Sequence, residues 1–157
     1  MSKPPIPAEA HARAVAEPAA PGWRVLAFTY DLLPMIPLLM ATSAVFLAIN
    51  RGRTVEHSPL LAALEFASMW ALVGLYFVLS WRRGGQTLGM RPWRQRVLGA
   101  KGRPAPASAL WIRFAVGCVT PLVGWLWCLV DAQRRALCDL AAGTVLVRMP
   151  PTSPPRA

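Results

Sequence analysis

Charged residues are scarce in this sequence, and acidic residues are the scarcer kind. Only 15% of the 157 residues are charged, with 7 Asp or Glu against 17 Lys or Arg, whereas a soluble domain carries about 25%. Because 55% of the residues are hydrophobic and the mean hydropathy is +0.39, the composition excludes an ordinary soluble domain. The net charge of +10 suggests either nucleic acid or an anionic membrane surface as partner. Apolar runs near 20 residues long favour the membrane, so we expect no nucleic-acid partner.

Cysteine and histidine are too few and too far apart for a metal centre. Cys118, Cys128 and Cys138 lie ten residues apart without a CxxC pair, and His11 and His57 lie outside the apolar runs. These spacings exclude a disulfide framework and a zinc site. The sequence also lacks HExxH, a phosphate loop, a carboxylate dyad and a nucleophile–base pair. We therefore expect no metal, no cofactor and no enzymatic activity.

The first 22 residues lack a continuous apolar core, so they do not form a cleaved signal peptide. Their Pro/Ala-rich composition predicts a disordered tail over residues 1–21, and a second one is predicted over 149–157. One domain, residues 22–148, remains between these tails.

Three apolar regions predict an all-α membrane protein. The predicted spans are about 24–49, 59–81 and 107–130, and the first two are long enough to cross a hydrocarbon core of about 30 Å. The third region has two alternatives. It could form a straight span, or it could break or re-enter near Pro121, where Gly124 follows.

The loop 82–106 holds seven Lys or Arg and no acid, which predicts a cytoplasmic location. This orientation places the N-terminus in the cytoplasm and makes the protein multi-pass. Only the bent form of the third region returns the C-terminal arginines to the same side. The loop could contact anionic headgroups of the bilayer. The stretches TVLVRM and QRVLGAKGRP have strand-type composition and could pair into a small cytoplasmic sheet.

Four charged residues fall within or beside the apolar regions: Arg24, Asp31, Glu65 and Arg113. A charge at mid-span costs roughly 2.5–3.5 kcal/mol, so Asp31 needs a protein or water partner. Counting residues from each end of the spans puts Arg113 near the depth of Asp31, which predicts an Asp31–Arg113 pair and leaves Arg24 for a cytoplasmic acid. Glu65 stays unassigned, either protonated or facing water near Ser68 or Thr42.

Three stretches in order, GWRVLAFTYDLL, GGQTLGMR and RRALCDLAAGTVLV, resemble the RDD family of small bacterial integral membrane proteins. The resemblance covers about residues 22–148, and the arginine and two aspartates that name the family match Arg24, Asp31 and Asp139. The loop and terminal motifs of the family match the following residues: Gly85, Thr87, Gly89, Arg91, Asp139, Ala142, Gly143 and Thr144. Cys138 stands where many members have histidine, which removes a histidine-dependent proton role.

The resemblance implies a location in the bacterial cytoplasmic membrane and no catalytic activity, and transport of ions or small ligands has been suggested for the family. We further expect an Arg24–Asp139 contact, and close backbone approach or positive φ at Gly89 and Gly143. Two functions stay open. One is transport that uses Asp31, with Pro34 and Pro37 freeing nearby carbonyls. The other is a non-transporting scaffold or assembly partner with structural charges. Either could involve a homo-oligomer or a membrane protein partner.

Overall fold

A computed structural model describes residues 17–55, 58–99 and 102–150. The helices are α1 (Pro21–Ile49), α2 (Pro59–Gly84), α3 (Ala107–Val119), α4 (Pro121–Val130) and α5 (Leu137–Ala142). The strands are β1 (Glu17–Pro18), β2 (Gln95–Gly99) and β3 (Thr144–Arg148). Most of the two predicted tails, residues 1–16 and 151–157, lies outside the described residues.

The two long helices form an antiparallel hairpin. Proline occupies the first turn of each, where its missing N–H has no intrahelical partner to lose. The Oγ of Ser58 accepts the N–H of Leu61 at 3.4 Å and caps α2. Contacts between Asp31 and Tyr76 and between Ser43 and Glu65 show that positions far along α1 meet positions early in α2. The N-terminal end of α1 therefore lies beside the C-terminal end of α2.

The strands form one antiparallel sheet in the order β1-β3-β2. Gln95 pairs with Arg148 and Gly99 with Thr144, so the two stretches of strand-type composition are partners. The end of the predicted first tail is corrected: Pro18 pairs with Val147, and the Ala19 N–H donates to Leu146 at 3.0 Å. The sheet joins the segment before α1, the loop after α2 and the segment after α5. All three consequently lie at the same end of the hairpin.

The third apolar region is bent instead of straight. Helix α3 ends at Val119, Thr120 caps it, and α4 begins at Pro121; a proline has no N–H to continue the preceding helix. The Oγ1 of Thr120 donates to the Val116 carbonyl at 2.7 Å. At about 20 Å and 15 Å, both helices are shorter than a hydrocarbon core of about 30 Å. The chain then returns along α3, which brings Arg113 and Asp139 into contact.

The buried core lies at the sheet end of the hairpin. Its members come from the sheet, the loop and the adjacent helix ends: Ala19, Ala27, Val78, Met90, Val97, Leu110 and Leu146. Farther along, both long helices expose large apolar side chains, such as Met40 and Phe66. The apolar windows of α1 and α2 have mean hydropathies of 2.2 and 1.7 but are only 6% and 11% buried. A core helix of a soluble protein would bury most of such a surface, since its burial drives folding.

Candidate functional site

The structure places Asp31 against the turn that follows α2. Its Oδ1 accepts the Tyr76 hydroxyl at 2.8 Å and the Gly89 N–H at 2.9 Å, and its Oδ2 accepts the Thr87 hydroxyl at 2.5 Å. The Leu88 N–H donates to the Tyr76 oxygen at 3.3 Å. Asp31 is 3% exposed. Both carboxylate oxygens are therefore occupied by protein donors, which compensates for the cost of burying the group. We call this arrangement the Asp31 clasp.

Two glycines shape the turn of the clasp. Gly85 ends α2 with a φ of +69°, a left-handed conformation that glycine adopts without penalty, and its carbonyl accepts the Val97 N–H at 2.7 Å. At Gly89 a Cβ would clash with the Ala27 carbonyl and lie 2.7 Å from the Asp31 nitrogen. Gly89 thus allows the turn to approach the backbone of α1. Arg91, the fourth residue of this loop motif, is exposed and does not belong to the clasp.

The second buried acid, Asp139, joins three segments that are distant in sequence. Its Oδ2 accepts Arg24 Nη1 at 2.7 Å and the Ala136 N–H at 2.9 Å, and its Oδ1 accepts Arg113 Nη1. The Ala136 bond also caps the start of α5, where a carboxylate is favoured. Asp139 is fully buried, and both guanidiniums are nearly so. We call this arrangement the Asp139 cluster.

Both arginines make further hydrogen bonds. Arg24 Nη2 donates to the Arg134 carbonyl at 3.1 Å, and Arg113 Nη1 donates to Thr144 Oγ1 at 2.8 Å. The Arg113 guanidinium lies 5.3 Å from the centre of the Trp81 ring, within cation–π range. The cluster therefore binds α1, α3, α5 and the start of β3 together. Gly143, with a φ of +59°, makes the turn between α5 and that strand.

The electrostatics of Asp139 follow from these neighbours. Burial raises the pKa of its carboxyl, but Arg113 and Arg24 lower it by more, and hydrogen bonds from Arg113 and Ala136 add to this effect. The net pKa of Asp139 lies below its usual value, so the residue is an anion at neutral pH.

The predicted Asp31–Arg113 pair is wrong, because Arg113 contacts Asp139 and Asp31 contacts the Thr87–Gly89 turn. Counting helix rise estimated the depth of each charge. It did not predict the path of the loop, which folds back so that Thr87 and Gly89 donate hydrogen bonds to Asp31. The expected Arg24–Asp139 contact is present. The expectations for the two glycines are met in different ways, since Gly89 has the close approach and Gly143 the positive φ.

Glu65 lies apart from both sites. Its carboxyl accepts the Ser43 hydroxyl at 2.6 Å, whereas Ser68 and Thr42, the predicted neighbours, donate to carbonyls of their own helices. Ser43 lies one residue beyond the predicted Thr42. The Ser43–Glu65 contact joins the two long helices near the end opposite the sheet.

The three cysteines are free thiols, and burial raises the pKa of the Cys138 thiol. Within residues 17–55, 58–99 and 102–150, no group of three His, Cys, Asp or Glu could hold a metal ion.

Sequence reasoning missed Tyr76 and Gln95. The Tyr76 hydroxyl is one of the few polar groups in the second apolar run, and this was the available signal. Gln95, 0% exposed, donates through Nε2 to the Trp23 carbonyl at 2.5 Å. Nothing in its local sequence distinguishes it from a surface glutamine.

The fold and its two buried carboxylates define a helical protein with two helices able to span a membrane and a small sheet at one end. The chain belongs to the RDD family, a family of membrane proteins whose profile matches residues 18–143. This match confirms the resemblance drawn from the three sequence stretches. No curated protein and no solved structure shows significant similarity to the chain.

Proposed function

We propose that this protein is a non-transporting scaffold or assembly partner of the bacterial cytoplasmic membrane, in which Asp31 and Asp139 are structural. One observation carries the proposal: each buried carboxylate has both oxygens bound by protein donors. A cation carrier would need carboxylate oxygens available to its ion. In the described part of the chain, these oxygens instead hold a turn against α1 and a returning segment against α3.

The proposed topology is multi-pass, with α1 and α2 crossing the bilayer and the sheet in the cytoplasm. The α3–α4 bend enters the membrane from the sheet side without crossing it. Support comes from the exposed apolar side chains of α4, among them Val123, Leu126 and Leu129. The basic loop at the sheet end supports the orientation.

Cysteine labelling tests this topology. Arg53 and Arg103 are both exposed and lie at opposite ends of the helical hairpin. In intact cells we expect a membrane-impermeant maleimide to label Arg53→Cys and to spare Arg103→Cys until the cells are permeabilised. The wild-type chain, with its three native thiols, is the background control. Labelling of Arg103→Cys in intact cells would show that the orientation is opposite to the proposed one.

Transport of ions or small ligands remains a second candidate because of one contact. The Tyr76 hydroxyl, which donates to Asp31, also lines an open cleft at the sheet end of α2. A proton could reach Asp31 from solvent through this hydroxyl if the clasp opened.

Flux measurements separate the two candidates. For purified protein in liposomes we expect no proton or cation flux above that of empty liposomes. Asp31→Asn and its matched control Glu65→Gln should give the same baseline. Flux that is lost in Asp31→Asn and kept in Glu65→Gln would replace the scaffold proposal with transport.

Cross-linking in native membranes should in turn recover a stable partner, either a second copy or another membrane protein.

A further inference from the structure

An open cleft of about 400 Å³ lies between the last turns of α2 and the turn of the Asp31 clasp. Arg83, Arg91 and Ser80 line its polar part. A guanidinium offers several N–H donors that suit phosphate oxygens, and a hydroxyl adds another donor. The cleft therefore has the composition of an oxyanion site.

Neither cleft arginine forms an ion pair with an acid among the described residues. The arginines in ion pairs there are Arg24, Arg113 and Arg135, whereas Arg83 and Arg91 are exposed. The sequence contains no acid between Glu65 and Asp131. Asp31 lies behind the cleft, bonded to Tyr76, but residues 82–96 hold five arginines. The local charge is therefore net positive, which attracts anions.

Apolar side chains also line the cleft, and we call them its apolar wall. Leu79 lies about 6 Å along the helix from Arg83, and Tyr76 about 10 Å. Leu88, 51% exposed, completes this wall. The hydrogen bond from the Leu88 N–H to Tyr76 holds the leucine beside the helix. A ligand that fills the cleft thus meets both cationic groups and hydrocarbon.

We propose that this cleft binds an anionic glycerophospholipid. Arg83 and Arg91 contact its phosphate, Ser80 donates to a phosphate or headgroup oxygen, and Leu79 and Leu88 contact the first methylenes of an acyl chain. The proposal rests on the membrane location and orientation proposed above. Soluble phosphate shares the headgroup chemistry, but the apolar wall and the position beside the spans favour the lipid.

The test uses the full-length protein in detergent, titrated with phosphatidylglycerol or phosphatidylcholine and analysed by native mass spectrometry. The wild type should bind phosphatidylglycerol more tightly than phosphatidylcholine. In Arg83→Gln/Arg91→Gln we expect its affinity to fall about tenfold or more, since a basic residue near an anionic surface contributes about 1 kcal/mol. The control Arg82→Gln/Arg103→Gln removes the same charge from exposed positions outside the cleft and should retain most of the affinity.

Several results would overturn the proposal. Equal losses in the two double variants would mean that only diffuse charge attracts the lipid. Complete displacement of phosphatidylglycerol by inorganic phosphate, with the same dependence on Arg83 and Arg91, would make the cleft a soluble-phosphate site.

If circular dichroism shows that the double variant Arg83→Gln/Arg91→Gln fails to fold, Arg91→Lys and Ser80→Ala replace it. Each of these two variants should weaken the binding of phosphatidylglycerol more than that of phosphatidylcholine. Unchanged lipid selectivity in both variants would again overturn the proposal. If Arg53→Cys and Arg103→Cys label as expected while lipid selectivity is absent, the topology stands and only the lipid site fails.

Discussion

Replacing Asp139 by asparagine is expected to lower the free energy of unfolding by about 3–5 kcal/mol, the range for breaking a buried ion pair from one side. The substitution leaves Arg24 and Arg113 buried with two positive charges and no counter-charge between them. It also weakens the bond to the Ala136 N–H that begins α5. Unfolding in detergent, followed by tryptophan fluorescence as temperature or denaturant rises, measures the loss.

Asp131→Asn is the matched control for this prediction. Asp131 pairs with Arg135 four residues along the chain, and hydrogen bonds from Arg135 lower the pKa of Asp131 to about 2. Because this pair lies near the surface, its loss should change stability little. An Asp139→Asn variant no less stable than Asp131→Asn would show that the Asp139 cluster does not hold the fold together.

Exchanging the charges of Arg24 and Asp139 is not expected to restore stability. In Arg24→Asp/Asp139→Arg, the new arginine would lie against Arg113, so one repulsive contact replaces one attractive contact. A rescue would show that Arg113 does not share the carboxylate. Double-mutant cycles on Arg24→Gln and Arg113→Gln should show coupling, since both residues contact Asp139.

The pH dependence of stability has a defined sign. The pKa of Asp139 is lowered on folding, so its stabilisation is complete above the unfolded value of about 3.9. It is lost as pH falls through the lower folded value. We expect the unfolding temperature of the wild type to drop below about pH 4, and this part of the drop to be absent in Asp139→Asn. An equal acid-induced drop in the variant would assign the effect to other groups.

Gly89→Ala should cost about 3 kcal/mol or more, at the upper end of the range for overpacking. The added Cβ would clash with the Ala27 carbonyl and lie 2.8 Å from Asp31 Cγ. The Ala27 carbonyl belongs to the backbone of α1, which cannot move aside as a flexible side chain can. The turn must therefore retreat, and the Gly89 N–H and Thr87 hydroxyl then lose Asp31. The same fluorescence-monitored unfolding measures the effect.

Gly84→Ala is the control for the Asp31 clasp. Gly84 lies at the end of α2, five residues before Gly89, and a Cβ there meets no atom within 4 Å. Alanine favours a helix over glycine by roughly 0.5–1 kcal/mol, so Gly84→Ala should be neutral or slightly stabilising. A Gly89→Ala variant as stable as Gly84→Ala would mean that the turn does not pack against α1 as described.

The Asp139→Asn and Gly89→Ala predictions address the two connections that hold the sheet end of the protein together. The Asp31 clasp fastens the loop after α2 to α1, and the Asp139 cluster fastens α5 and the start of β3 to α1 and α3. Each is built on a buried carboxylate whose two oxygens accept hydrogen bonds, and a lost partner of a buried polar group is costly. A scaffold that presents a defined surface requires this rigidity.

Several features of this protein follow from the sequence alone because they depend on local properties. Apolar length and scarce charge predict the two long helices, and Pro121 marks the bend in the third region. The β-branched run before Met149 marks a strand. The Arg24–Asp139 contact was expected from the resemblance of three sequence stretches to the RDD family. The family match over residues 18–143 confirms that resemblance.

Only the tertiary structure decided the partners of Asp31 and of Arg113. Asp31 contacts Thr87 and Gly89, more than 50 residues away, because the loop folds back along the helices instead of leaving them. Arg113 contacts Asp139 because the chain returns after Pro121, and Glu17 and Pro18 become a strand only because β3 is beside them. Hydropathy and helix rise place a residue along one axis, whereas a side-chain contact depends on the path of every segment between the two residues.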